Sequence, residues 1–554
     1  MSNRITRRQA LKVVSGAVLL PVACGQLIST KISKAIFRHG VASGDPDQSS
    51  VVIWTRVSDV VGPVNVDWLV ATDPGFLNAV ARGTFTTYEQ RDHTVKVVVA
   101  LLKPGQEYFY KFETGAAISP IGRTKTLADG HLENVVLAVA TCANYSFGHF
   151  NVYDVIAKDP SIDMIVHLGD YIYEHGPDAY GGEAGKRLGR NHQPSHEIIT
   201  LEDYRIRHAQ YKTDPGSLAM HARHPLIVIW DDHETTNNPW MGGASNHQAN
   251  EGSWQARRTA SLRAYYEWLP IRDPENVIDQ KNYWRHYKFG DLLSLITLES
   301  RHTGRSQQIS YSQHSHFLKT PNQAQEFLTS VVGAPERNML SKDMETFLSK
   351  ELKESVAASR RWRVIANQTM MAKSIDPKLD DAFFKELRKE LSGGNLEMLE
   401  GHQYLGSLDL PSDLDTWDGY PAARERFYQL AKDSGVTDLL VVTGDSHSYW
   451  ANELYDAGGQ PMGVELGATG ITSPRSIMSL GAEAMKRYDE LNTANNKEIV
   501  WSDGRHNGYI KLQLDHQTAH ADYVTVSTVE SIHYETQVVH SVDIINHNDT
   551  LVYK

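Results

Sequence analysis

Six short apolar runs constrain this chain more than anything else in it: Val135–Ala140, Met164–Leu168, Leu226–Trp230, Leu292–Leu298, Arg363–Ala366 and Leu439–Thr443. Each is too short for a helix and too continuously apolar for a half-exposed strand. Each therefore reads as a strand buried on both faces. Longer amphipathic or irregular stretches separate them, as in an α/β core. The runs end, in order, at Thr141-Cys142-Ala143-Asn144, Gly169-Asp170-Tyr171-Ile172-Tyr173-Glu174, Asp231-Asp232-His233-Glu234, Glu299-Ser300-Arg301, Asn367-Gln368 and Gly444-Asp445-Ser446-His447. Ligands bind beyond the carboxyl ends of strands in such sheets. One carboxylate after a strand is usually a turn former. Six metal-competent ends in series predict a site along one edge.

The flanks read differently. From Ile36 to Leu127, Val64, Val66, Trp68 and Val70 alternate with polar residues, as do Val95, Val97 and Val99, and Tyr108, Tyr110 and Phe112. Turns such as Lys103-Pro104-Gly105 separate the strands, so an accessory β-sandwich is expected over 36–127. The catalytic α/β region is expected over 133–545. Within it Trp254–Trp268 and Lys342–Ala357 read as helices. Residues 376–435 are charged and irregular, a candidate lid, and Gly508–Ile545 returns to strand alternation.

Charge and cysteines narrow the function. A net charge of −12 over 554 residues excludes a nucleic-acid scaffold built on a basic face. It also means an anionic substrate must meet metals or local arginine. Cys24 and Cys142 are the two cysteines, which excludes a disulfide framework and leaves Cys142 as core filler, reactive thiol or metal ligand. Residues 1–30 read as a leader. Arg7-Arg8 before the apolar run Val13–Ala23 resembles a twin-arginine export signal, and that run is too short to span a membrane. Leu20–Gly25 loosely resembles a lipoprotein box, which would anchor the chain through a lipidated Cys24. In Gly169-Asp170 and Gly444-Asp445 the glycine lets the chain turn so that the carboxylate projects. Extended i, i+2 spacing would put Asp445 and His447 on one side. No G-x-S-x-G elbow or P-loop competes.

In this order the motifs resemble those of the calcineurin-like metallophosphoesterases. With His39-Gly40-Val41-Ala42-Ser43-Gly44-Asp45-Pro46, Trp54-Thr55-Arg56, Tyr265-Tyr266-Glu267-Trp268 and Trp417-Asp418-Gly419-Tyr420, the chain is similar to the alkaline phosphatase D family over nearly its whole length. The resemblance implies an α/β/β/α sandwich with an N-terminal β-sandwich domain. It implies an exported phosphoesterase acting on phosphate mono- or diesters by direct attack of a metal-bridging hydroxide. By the same resemblance Cys142, Asp170, Tyr173 and His447 would hold Fe3+, and Asp170 would bridge to a second ion held by Asp232, Asn367 and Asp445. That second set is all oxygen and suits Ca2+. His233 would be the leaving-group acid or a helper beside Asp232, or else a structural histidine. Arg301 would clamp phosphate, or form an ion pair. Asp231, Asn237 and Asn238 would bind a further cation or hold the loop. The alternatives are a phosphodiesterase or phospholipase D-type activity at the same site, and a non-catalytic envelope binding protein on this fold.

Overall fold

The structure, a computed structural model, describes residues 37–276 and 280–554. The Arg7-Arg8 leader and Cys24 therefore lie outside the described residues. No helix among those described is long and apolar enough to cross a membrane.

The apolar runs form strands Asn134–Ala140, Met164–His167, Leu226–Val228, Leu293–Thr297, Trp362–Ala366 and Leu439–Thr443. They do not share one sheet. The first three pair in parallel inside a ten-stranded sheet, the last three inside a seven-stranded one. The two sheets face each other across one core, where Leu137, Val139 and Val166 meet Leu295, Val364 and Val442. The alternate residues face outward. Ala138, Ala140 and Ile165 pack under helices carrying Ile156, Tyr204 and Tyr265. Ile296, Ile365 and Val441 pack under helices carrying Met344, Leu348 and Phe427. Both faces of each strand are thus covered, which is why the runs carry no polar alternation. The result is the α/β/β/α sandwich, and it sets two groups of three strand ends against each other.

Helices Trp254–Trp268 and Lys342–Ala357 form where expected. The second starts at Ser341, whose hydroxyl accepts from the Met344 amide, and Asp343 and Glu345 occupy its first turn. Strands Asn507–Asp515, Thr518–Val526 and Thr536–His547 extend the ten-stranded sheet through Asn134–Ala140.

The N-terminal sandwich forms with one refinement, and one other expectation needs correction. The N-terminal region forms two facing β layers around Val41, Ile53, Val66, Tyr110 and Phe112, but one layer is not its own. Val41–Gly44, Val51–Arg56 and Thr94–Val99 complete the ten-stranded sheet, because Gly44 pairs in parallel with Leu226. A side chain at Gly44 would strike the Leu226 and Pro270 carbonyls, so glycine permits the join. Residues 376–435 are not irregular. They hold helices Ala382–Glu390, Gly393–Ser407 and Pro421–Asp433. Charged residues had masked an amphipathic pattern; the last helix buries Ala423, Phe427 and Ala431 against the seven-stranded sheet.

Candidate metal centre

The facing strand ends line a cavity of about 780 Å³. Its lining includes Asp232, His233, Asp445 and His447, together with His175, Tyr180, His402, Asp415 and Arg475. Beneath them lie Cys142 and Asp170, both fully buried.

The backbone turns sharply at these residues. Cys142, Asp170, Asp445 and His447 have φ of 58°, 57°, 62° and 53°. Non-glycine residues seldom take left-handed geometry, and it concentrates at functional sites. It corrects the extended reading of Asp445 and His447: the chain coils after Gly444. Gly169, at φ 101°, lies so close to the Asp231 backbone that a side chain would not fit.

Ligand-capable atoms of Cys142, Asp170 and His447 lie within 4.8 Å of one another. The Tyr173 hydroxyl donates to Asp170 Oδ2 at 2.8 Å and lies 3.4 Å from His447 Nε2. Asp170, Asp232 and His233 form a second such group. Asn367 is buried at the end of its strand, but its amide donates to the Thr369 carbonyl at 2.6 Å and its oxygen faces Trp417 Nε1 at 3.4 Å. The structure therefore brings together Cys142, Asp170, Tyr173 and His447 directly, and leaves Asn367 turned to its own loop.

Arg301 is not placed as a phosphate clamp. It is fully buried and does not line the cavity. Its Nε donates to Asp231 and its Nη1 to Asp415 at 2.6 Å, while Nη2 stands 3.7 Å from Asp445 Oδ1 and 4.0 Å from Asp232 Oδ1. The guanidinium lies behind the carboxylates as a countercharge because Asp231 and Asp415 claim it from two sides. Among the described residues, Arg475 is the one arginine or lysine lining the cavity. Its Nη1 donates to the Ser446 carbonyl at 3.0 Å, which fixes it beside Asp445 and His447. The backbone amides of Asn238 and Asn237 donate to Asp232 Oδ2 and Glu174 Oε1, while the Asp231 carboxylate accepts from Arg301 Nε.

Sequence reasoning missed Glu174. This buried carboxylate receives His233 Nδ1 at 2.7 Å, and also Thr236, the Asn237 amide and Asn246. Burial opposes charge on the His233 imidazole, but Asp232, Glu174 and Asp170 outweigh it and hold its pKa well above the usual value. Glu234 was also missed; it receives the amides of Asp170, Tyr171 and Asp231 and so ties two strand ends together. Neither role has a local sequence signal.

The donor set is short of positive charge. Burial and neighbouring carboxylates push Asp170 and Asp445 well above the carboxylate range, and Asp231 to about 6. Burial, then Asp170, pushes the Cys142 thiol up. Asp231 Oδ2, Asp232 Oδ1 and Arg301 Nη2 are buried without hydrogen-bond partners. Carboxylates buried together this way are costly unless cations offset them. Thiol, phenol, imidazole and carboxylates on one side, and oxygen donors on the other, fit bound metal ions.

Comparison with known proteins accords with this arrangement. Residues 137–523 match the family described as PhoD-like phosphatase, and residues 23–128 match the PhoD-like phosphatase N-terminal domain. Alkaline phosphatase D of Bacillus subtilis (strain 168) is 34% identical over 505 residues, covering 88% of this chain and 77% of that protein. A solved structure of PhoD superposes with a TM-score of 0.75 at 30% identity, covering 93% of this chain and 92% of that one. The purple acid phosphatase PPD1 from yellow lupin shares the fold at a TM-score of 0.55 and 12% identity, over 93% of this chain and 75% of that one.

Proposed function

The chain belongs to the PhoD-like phosphatase family and is a phosphoesterase, and from that premise we propose that the cavity hydrolyses phosphate esters with two kinds of metal ion. Cys142, Asp170, Tyr173 and His447 would hold iron, whose affinity for thiolate and phenolate suits them. Asp170, Asp232, Asn367 and Asp445 would hold calcium through oxygen alone, with Asn367 turning from Thr369 to do so. Bound ions would supply Lewis acidity toward phosphorus and activate water. The observation that carries the reading is the set of buried carboxylates with too little countercharge.

The chain's own groups divide the remaining work. Glu174 fixes the His233 ring through Nδ1 and favours its imidazolium, so His233 donates a proton to the departing oxygen. Arg301 pairs with Asp231 and Asp415 as their buried countercharge. Arg475, not Arg301, is the guanidinium within reach of a phosphate oxygen. The Arg7-Arg8 leader would carry the folded protein out of the cell, and exchange of both for lysine should retain the precursor inside.

Metal analysis of three variants tests the two-ion reading. Asp170→Asn should lose both metals, His447→Ala the iron alone, and Asn367→Ala the calcium alone, with partial rescue by added calcium. Equal loss of one metal in all three, or a fully active Asp170→Asn enzyme, overturns it.

A further inference from the structure

Two histidines and an aspartate meet far from the cavity, at the opposite ends of the strands. His131 lies in the link leading to strand Asn134–Ala140, Asp291 in the turn before Leu293–Thr297, and His516 in the turn between Asn507–Asp515 and Thr518–Val526. The first and third belong to the ten-stranded sheet and the second to the seven-stranded one. We propose that His131, Asp291 and His516 form a site for a borderline divalent ion such as Zn2+, which clips the two sheets together at their base.

The geometry points to this in three ways. His131 Nδ1 lies 2.9 Å from Asp291 Oδ2, and His516 Nε2 lies 3.6 Å from Asp291 Oδ1. Ligands of one tetrahedral zinc at about 2.0 to 2.1 Å stand roughly 3.3 Å apart, between those two separations. The two imidazoles stack with centroids 5.1 Å apart at 17°, so two rings share one carboxylate. One carboxylate neutralises one imidazolium; a divalent ion uses both rings neutral and the carboxylate charged.

The backbone around the trio is already fixed. The Asp291 amide donates to the Gly130 carbonyl at 2.9 Å, and its carbonyl accepts from the Arg361 amide at 3.1 Å. Arg361 Nε holds the His516 carbonyl at 2.8 Å. The Leu132 amide holds Asp291 Oδ1 at 3.0 Å, an orienting contact of the kind that supports metal ligands. His516 Nε2 also lies 3.1 Å from the Leu132 carbonyl, a bond the ion would replace. Two imidazoles select zinc, copper, nickel or cobalt over calcium and magnesium. All three side chains are partly exposed, which leaves a coordination position for water.

The test uses the metal-loaded, active enzyme dialysed against micromolar Zn2+. Wild type should retain one zinc beyond its active-site metals and unfold about 2 °C higher than without zinc. His131→Ala and His516→Ala should each lose that zinc and that shift, while iron, calcium and phosphatase turnover stay unchanged. Absence of the additional zinc in wild type, or its retention by the double variant His131→Ala/His516→Ala, overturns the proposal.

Discussion

Glu174 joins one carboxylate to four donors from the strand-end loop, and of these His233, Asn237 and Asn246 line the cavity. Its charge raises the His233 pKa, so removing that charge must lower it. Glu174→Gln should therefore cut turnover about 10- to 100-fold and move the alkaline limb of the kcat/KM profile to lower pH. An unchanged pH profile with intact metal content would falsify the role of His233 as acid. Cys142, Asp170, Asp232, Asp445 and His447 were legible as a group because each follows a strand directly, and the end of a buried strand has few places to point. Glu174, Asp415 and Arg475 were not. Their significance lies in partners contributed by remote segments: Arg301 reaches Asp231 and Asp415 from different parts of the chain. Arg301 stayed open between clamp and ion pair, because sequence shows a guanidinium but not which carboxylates surround it.

At the scale of elements, the strands were legible nearly to the residue, but their distribution between two sheets was not. A strand buried on both faces looks the same in either sheet, and the switch falls somewhere between Val228 and Leu293 without a marker. The join of the N-terminal strands to the large sheet was hidden too, since it rests on one residue pair at Gly44. The contact between Gly169 and the Asp231 backbone shows how tightly the strand ends are set. Gly169→Ala would force Asp170 and Asp231 apart and require a φ that alanine resists. It should destabilise the protein by about 2 kcal/mol and release metal, as read by thermal unfolding and elemental analysis. A stable variant with full metal content would show that the strand ends tolerate separation.

Over the whole molecule, buried histidines set a limit on acid stability. Burial draws His167 and His208 down to about 3 and His224 to about 4. The unfolded chain takes up these protons first, near pH 6.5, so folding stability falls as the pH drops from there toward the folded values. His208 has no hydrogen-bond partner on either nitrogen and stacks at 11° on Trp268. His208→Phe should raise stability more at pH 5 than at pH 8, by about 2 kcal/mol, in urea unfolding at the two pH values. Equal effects at both would mean that another group titrates in this window.

The left-handed turns at Cys142, Asp170, Asp445 and His447 bear on how such a centre can drift over generations. Aspartate and asparagine both accept this backbone shape, whereas valine, isoleucine and threonine do not. A lineage can therefore exchange Asp for Asn at position 445 and change the centre's charge by one unit without displacing the chain. Exchanges toward branched residues are closed to it, whatever metal is available.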